Sequence, residues 1–110
     1  MLAVQEHKAD EDRLADVQRR AADKGWSGVW SPAVVTDKGG TSGGLAVLTR
    51  GRAMVTAPPC RSDPCIYPGR AMAARVHWGF PGGIVIITVY LVVGEGLSPT
   101  NMAILRSLAT

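Results

Sequence analysis

Acidic and histidine side chains run out early in this sequence. Beyond Asp37 the only acids are Asp63 and Glu95, and the two histidines are His7 and His77. A centre assembled from several carboxylates and histidines of the second half alone is therefore excluded. Cysteine is equally scarce. Cys60 and Cys65 lie in a Pro-rich stretch, and two thiols cannot complete a structural zinc site, which wants four ligands. A local disulfide between them is left open, with two free thiols in an intracellular chain as the expectation. Long apolar runs are also missing. The longest, Ile84 to Val93, falls short of the about 20 residues a membrane helix needs. The start has no signal-peptide pattern, because its apolar residues give way at Gln5 and Glu6. Charged residues make up 19%, too few for a disordered tail, and no internal repeat is present.

What is there fits one globular unit of 110 residues, nearly half of them apolar. The formal net charge is +3, and its distribution is uneven. Arg50, Arg52, Arg61, Arg70 and Arg75 face a single acid, Asp63, in the same stretch. Such a cluster suits either a phosphate-bearing partner or a solvated sheet face.

Along the chain, Met1 to Val4 reads as a short buried strand that ends abruptly in polar groups. A helix follows, with Asp10 as N-cap and Glu11 and Asp12 in the first turn. Leu14, Val17 and Ala21 form one apolar stripe, Arg19, Arg20 and Lys24 lie toward the C-terminal end, and Gly25 is the stop. Trp26 to Ala33 reads as extended, Thr36 to Ser42 as a loop, and Gly43 to Thr49 as a strand apolar on both faces. Ala53 to Ala57 is its expected hairpin partner, and Ala57 to Gly69 an irregular loop. Arg70 to Trp78 alternates, with Met72, Ala74, Val76 and Trp78 on one face. After a turn at Gly79 to Gly83, Ile84 to Leu91 reads as a strand buried on both faces and placed centrally. Ser98-Pro99 opens a last helix with Met102, Leu105 and Leu108 at helical spacing. The sum is an α+β fold, with helices packed outside a mostly antiparallel sheet.

Three stretches carry a pattern: Leu2-Ala3-Val4-Gln5-Glu6-His7, Thr41-Ser42-Gly43-Gly44-Leu45-Ala46-Val47-Leu48, and Ile87-Thr88-Val89-Tyr90-Leu91 followed by Asn101 and Leu105. In this order they resemble the endonuclease/exonuclease/phosphatase superfamily, the deoxyribonuclease-I-like fold, over essentially the whole chain. The resemblance implies a four-layer α/β/β/α sandwich and Mg²⁺-dependent cleavage of a phosphodiester or phosphomonoester, with nucleic acid or another phosphodiester such as a phosphoinositide as the expected partner. It places a metal-ligating carboxylate at Glu6 and a phosphate-contacting active-site tyrosine at Tyr90. A hard cation such as Mg²⁺ is held by one or two carboxylates plus substrate oxygens, which fits Glu6. If both strands run the same way, Glu6 and Tyr90 share one edge.

The other polar residues receive lesser roles. Gln5 buttresses the strand end, and His7 points away from Glu6 and inherits no acid/base role. His77 is expected on the surface, and Asn101 is structural. Gly43 and Gly44 are strand-start glycines and form no phosphate loop. The sequence also departs from the family. Val92 and Val93 stand where Pro and Asn often follow the tyrosine. An Asn on a strand before Gln-Glu, an Asp-x-Asn pair and a final Asp-His pair are all missing. Residues 1–110 are thus expected to be part of such a domain, of the kind found in mobile-element endonucleases, inactive alone. The alternative is a non-catalytic remnant or binding module whose arginines contact nucleic acid or protein.

Overall fold

The computed structural model describes residues 1–51, 54–57, 63–77 and 83–108. Nine strands and two helices occur among them, in the order β1 (Leu2–Gln5), α1 (Glu11–Asp23), β2 (Trp26–Ser31), β3 (Val34–Val35), β4 (Thr41–Ser42), β5 (Leu45–Arg50), β6 (Met54–Thr56), β7 (Cys65–Tyr67), β8 (Ala71–His77), β9 (Ile84–Val89) and α2 (Pro99–Ser107).

Two sheets organise the chain. In the first, β5 lies between β1 and β2, pairing antiparallel with both; Gln5 stands opposite Leu45 and Ser31 opposite the same residue. In the second, β8 is the spine: β6 and β7 pair with it on one side and β9 on the other, again antiparallel. A two-stranded ribbon of β3 and β4 stands apart. The sheets meet through Leu45 and Val47 of β5 and Met72, Ala74 and Val76 of β8, all fully buried, with Val29, Val55, Ile86 and Tyr90 packed around them. Strand alternation explains the set: β5 and β8 are the inner strands of their sheets, and every second residue of each points into the shared core. The result is a compact mixed α/β domain with two helices.

Both helices begin as the residues dictate. Asp10 accepts a hydrogen bond from Arg13 N at 3.1 Å, and Glu11 and Asp12 fill the first turn. Leu14, Val17 and Ala21 form the half-buried stripe of α1, which packs on β2. Ser98 caps α2 by accepting from Asn101 N at 3.2 Å, with Pro99 in the first turn.

Several expectations are corrected. β6 pairs with β8 and not with β5. The stretch expected as irregular loop contains β7, whose pairing to β8 carries a register shift between Cys65 and Tyr67; three residues between prolines are too short for a period-2 signal. The expected loop Thr36 to Ser42 ends in β4. β1 is mostly exposed, since it forms the outer edge of its sheet. β9 is also an edge strand: Ile84, Val85 and Ile87 are exposed, so the unbroken apolar run does not mark the centre. The strands buried on both faces are β5 and most of β8. In α2 the buried residues are Asn101 and Ile104, while Leu105 is exposed. Arg52, Cys60, Arg61, Trp78 and the turn at 79–82 lie outside the described residues.

Candidate functional site

Antiparallel pairing brings four chain segments to one end of the two sheets. β1 and β9 finish there, at Gln5 and Val89, while β5 and β8 begin there, at Leu45 and Ala71. The residues next to those ends are Glu6, Tyr90, Gly44 and Arg70. Gln5 ties the two sheets across this rim, its Nε2 donating to the Val89 carbonyl at 2.6 Å. Tyr90 N donates to Arg70 O at 2.7 Å. Glu6 and Tyr90, the two residues singled out from the sequence, thus stand at the same rim.

Their side chains interact. The Tyr90 hydroxyl is pushed above its ordinary pKa of 10.0, first by a hydrogen bond toward the Glu6 carboxylate, then by desolvation and by the carboxylate's negative charge; Arg70 opposes the shift. The Arg70 guanidinium carbon lies 4.7 Å from the centre of the Tyr90 ring, a cation–π contact. Its Nη2 donates to Ser42 Oγ at 2.7 Å, which fixes the fork beside the ring. Lys8 Nζ approaches Glu6 Oε1 at 3.7 Å with both side chains largely exposed, a pair worth little in water. The rim therefore offers one carboxylate, one phenol and two cations, all open to solvent or half-buried.

The backbone that presents Glu6 is unusual. Glu6 and Lys8 both have left-handed φ values, 61° and 59°, which cost non-glycine residues energy and must be held by their surroundings. The holding groups are identifiable. Glu6 N and Lys8 N donate to Gly44 O and Gly43 O at 2.8 and 2.9 Å. His7 Nδ1 accepts from Ala9 N at 3.0 Å, so Nε2 bears the proton and donates to Ser31 O at 3.0 Å. The His7 ring occupies the space above Gly44, whose φ is +93°, and lies 5.5 Å from the Trp30 ring. His7 is a clamp among β1, β2 and β5.

Asn101 supports the rim from behind. Buried, it accepts from Val92 N at 2.7 Å through Oδ1, and its Nδ2 donates to Val92 O at 3.1 Å and Gly96 O at 2.7 Å. This pins the segment that follows Tyr90. His77 is half-buried and bonds Thr56 Oγ1 at 3.1 Å, which ties β8 to β6 and takes it out of the surface set.

Sequence reasoning grouped Arg70 with four other arginines and did not place it beside Tyr90. The available signal was its position just before the β8 alternation, at the strand end antiparallel to Tyr90. Arg50 is exposed at the far end of β5 from this rim, and Arg75 is half-buried within β8.

Glu6 supplies the carboxylate at the rim among the described residues. Among the described residues no three His, Cys, Asp or Glu side chains come together. The donor set fits Mg²⁺ only as an ion that keeps most of its waters and shares a substrate phosphate. A separate cavity of about 560 Å³ lies where the N-terminus of α1 faces the β7 region, lined by residues including Asp10, Glu11, Asp12, Ser31 and Cys65. None of Glu6, Arg70 or Tyr90 lines it, and the rim remains the place where the chemistry gathers.

Compared with family models, with curated proteins and with solved structures, the chain matches none.

Proposed function

We propose that the rim binds a phosphodiester of nucleic acid together with Mg²⁺, as part of a metal-dependent phosphodiesterase domain of the deoxyribonuclease-I-like kind, and that this chain by itself binds without cleaving. The observation that carries the reading is the meeting of Glu6, Tyr90 and Arg70 at one strand-end rim. The four-layer sandwich belongs to the same proposal. Its support is the β5–β8 core between the sheets, with α1 against β2 and α2 against β7.

In this reading Arg70 and Lys8 contact phosphate oxygens, and Arg70 does so with its fork already oriented by Ser42. The Tyr90 hydroxyl, which faces Glu6 when the rim is empty, turns to donate its hydrogen bond to the same phosphate once Glu6 ligates the ion. Glu6 is the protein's ligand to Mg²⁺, which when bound would neutralise charge on the phosphoryl oxygens. Without the ion, Glu6 repels the phosphate that Arg70 attracts. Among the described residues no histidine–aspartate pair stands ready to activate water: His7 bonds backbone groups and His77 bonds Thr56.

The test is fluorescence anisotropy of labelled DNA with and without Mg²⁺ at low salt. Mg²⁺ should tighten binding of the parent chain. Glu6→Gln should tighten Mg²⁺-free binding and erase the Mg²⁺ increment. Arg70→Ala should weaken binding to all sequences alike and lower the salt slope by about 1. Binding indifferent to both substitutions would remove the rim from consideration, and hydrolysis abolished by Glu6→Ala would show that the chain is catalytic alone.

A second reading has its own observation. Lys8 places a cation 3.7 Å from Glu6, as expected of a non-catalytic nucleic-acid-binding module that dispenses with the metal. Mg²⁺-independent binding that Lys8→Ala weakens would favour it.

A further inference from the structure

The segment after Tyr90 combines rigidity with exposure in a way its own fold does not explain. Val93 and Leu97 are 79% and 78% exposed, more than any other large aliphatic residue of the described chain. Exposed aliphatic side chains on a loose loop would mean little. This loop is not loose at its base. Asn101, 1% exposed, bonds both the N–H and the carbonyl of Val92 and the carbonyl of Gly96. Val92 and Gly96 are thereby drawn to one side chain, and the residues just beyond them, Val93 and Leu97, project from a fixed base. Gly94 and Gly96, both at positive φ with open space around them, let the chain turn tightly between the two. The fold thus spends a buried, three-fold-bonded asparagine on holding up two aliphatic side chains that touch little of the protein.

Position decides what they would touch. β9 ends at the rim, and Val93 is three residues past Tyr90, so its Cα lies within about 11 Å of Tyr90 along the chain at full extension. Gly96 and Val92 share the Asn101 amide, which keeps Leu97 in the same neighbourhood. The aliphatic pair is therefore held near the strand end from which Tyr90 extends.

We infer that Val93 and Leu97 form an apolar wedge that packs against nucleobases next to the phosphate held at the rim, and that the chain prefers nucleic acid whose bases there are unpaired or unstacked. The inference rests on the reading of the rim as a phosphodiester site. Base faces are the apolar surface of nucleic acid, and in a continuous duplex they are hidden in the stack. Aliphatic side chains of nucleic-acid-binding proteins reach them by insertion at a step, which costs unstacking energy. A mismatch has already lost part of that stacking, so the wedge enters it at smaller cost.

The experiment measures binding of the full 110-residue chain to three labelled DNAs in Mg²⁺: a paired duplex, the same duplex with one central mismatch, and the single strand. The parent should bind the mismatched duplex about tenfold tighter than the paired one, the gain expected from partly burying two aliphatic side chains. Val93→Ser with Leu97→Ser should abolish that preference and leave binding to the paired duplex, and its loss in Arg70→Ala, unchanged. Both positions are exposed, so folding should be preserved, which circular dichroism checks. If the double variant keeps the parent's mismatch preference, or the parent has none while Arg70-dependent binding persists, the wedge is overturned and the rim reading stands. If the parent binds none of the three DNAs, the rim reading fails and the wedge falls with it.

Discussion

Gly44→Ala tests the clamp that presents Glu6. A methyl group at position 44 would stand 2.7 Å from Nδ1 and 2.9 Å from Nε2 of His7, closer than nonbonded carbon tolerates. The residue would also have to adopt φ +93°, where a side chain costs about 1–3 kcal/mol. To make room the imidazole must swing away and lose its bonds to Ala9 N and Ser31 O, each contributing about 1 kcal/mol. Together these give a loss of about 3–5 kcal/mol, a large share of the roughly 5–15 kcal/mol of a typical domain. For a chain of this size such a loss lowers the melting temperature by more than about 10 °C. The assay is urea denaturation followed by circular dichroism, run as a double-mutant cycle with His7→Ala. In that background the overlap with the ring is gone and only the backbone strain remains, so Gly44→Ala should cost about 2 kcal/mol less. Equal cost in both backgrounds would refute the clamp, and a cost below about 1 kcal/mol in the parent would refute the strain as well.

Two further outcomes follow from the rim. The Tyr90 phenol should titrate at lower pH once Glu6 is replaced by Ala, because the raising influence is removed and Arg70 remains; ultraviolet difference absorbance reads this directly, and an upward shift would contradict the geometry. Since the folded-state pKa lies above the ordinary 10.0, this group's contribution to stability is complete below that pH and is lost as pH rises through the folded value. Asn101→Ala should leave the Val92 and Gly96 backbone groups without their partner and cost about 2–3 kcal/mol in chemical denaturation; a change below 0.5 kcal/mol would mean that water replaces the amide without loss.

Local signals were legible where they were dense. Asp10, Glu11 and Asp12 announced α1, and Ser98-Pro99 announced α2, because caps act within one turn of chain. The alternation of Met72, Ala74 and Val76 identified the inner face of β8. The arrival of Glu6 and Tyr90 at one rim was also legible, since two strands running the same way finish at the same end. Partner choice was not. β6 seeks β8 and not the adjacent β5, and three-residue strands carry too little pattern to reveal it. β9 misled for a different reason. Its composition suits burial on both faces, but whether a strand is central depends on what else the sheet contains, which no property of Ile84 to Val89 encodes. Arg70 escaped notice because its role depends on pairing between Ala71 and Val89.

The spine position of β8 has a consequence for the order in which the chain becomes structured. β5 finds β1 and β2 already synthesised, so the hydrogen bonding of the first sheet is complete once Arg50 has emerged. β6 and β7 have no such luck: among the described residues each pairs only with β8, which comes later. Until His77 is available β6 and β7 have no ladder to join, and Leu45 and Val47 have no opposite face to cover them. At about 5–20 residues per second of synthesis this interval lasts a few seconds. During it the nascent protein is a finished sheet with a bare apolar side, and the arrival of one strand organises the two before it and begins to close the core, which Ile86 and Tyr90 complete later.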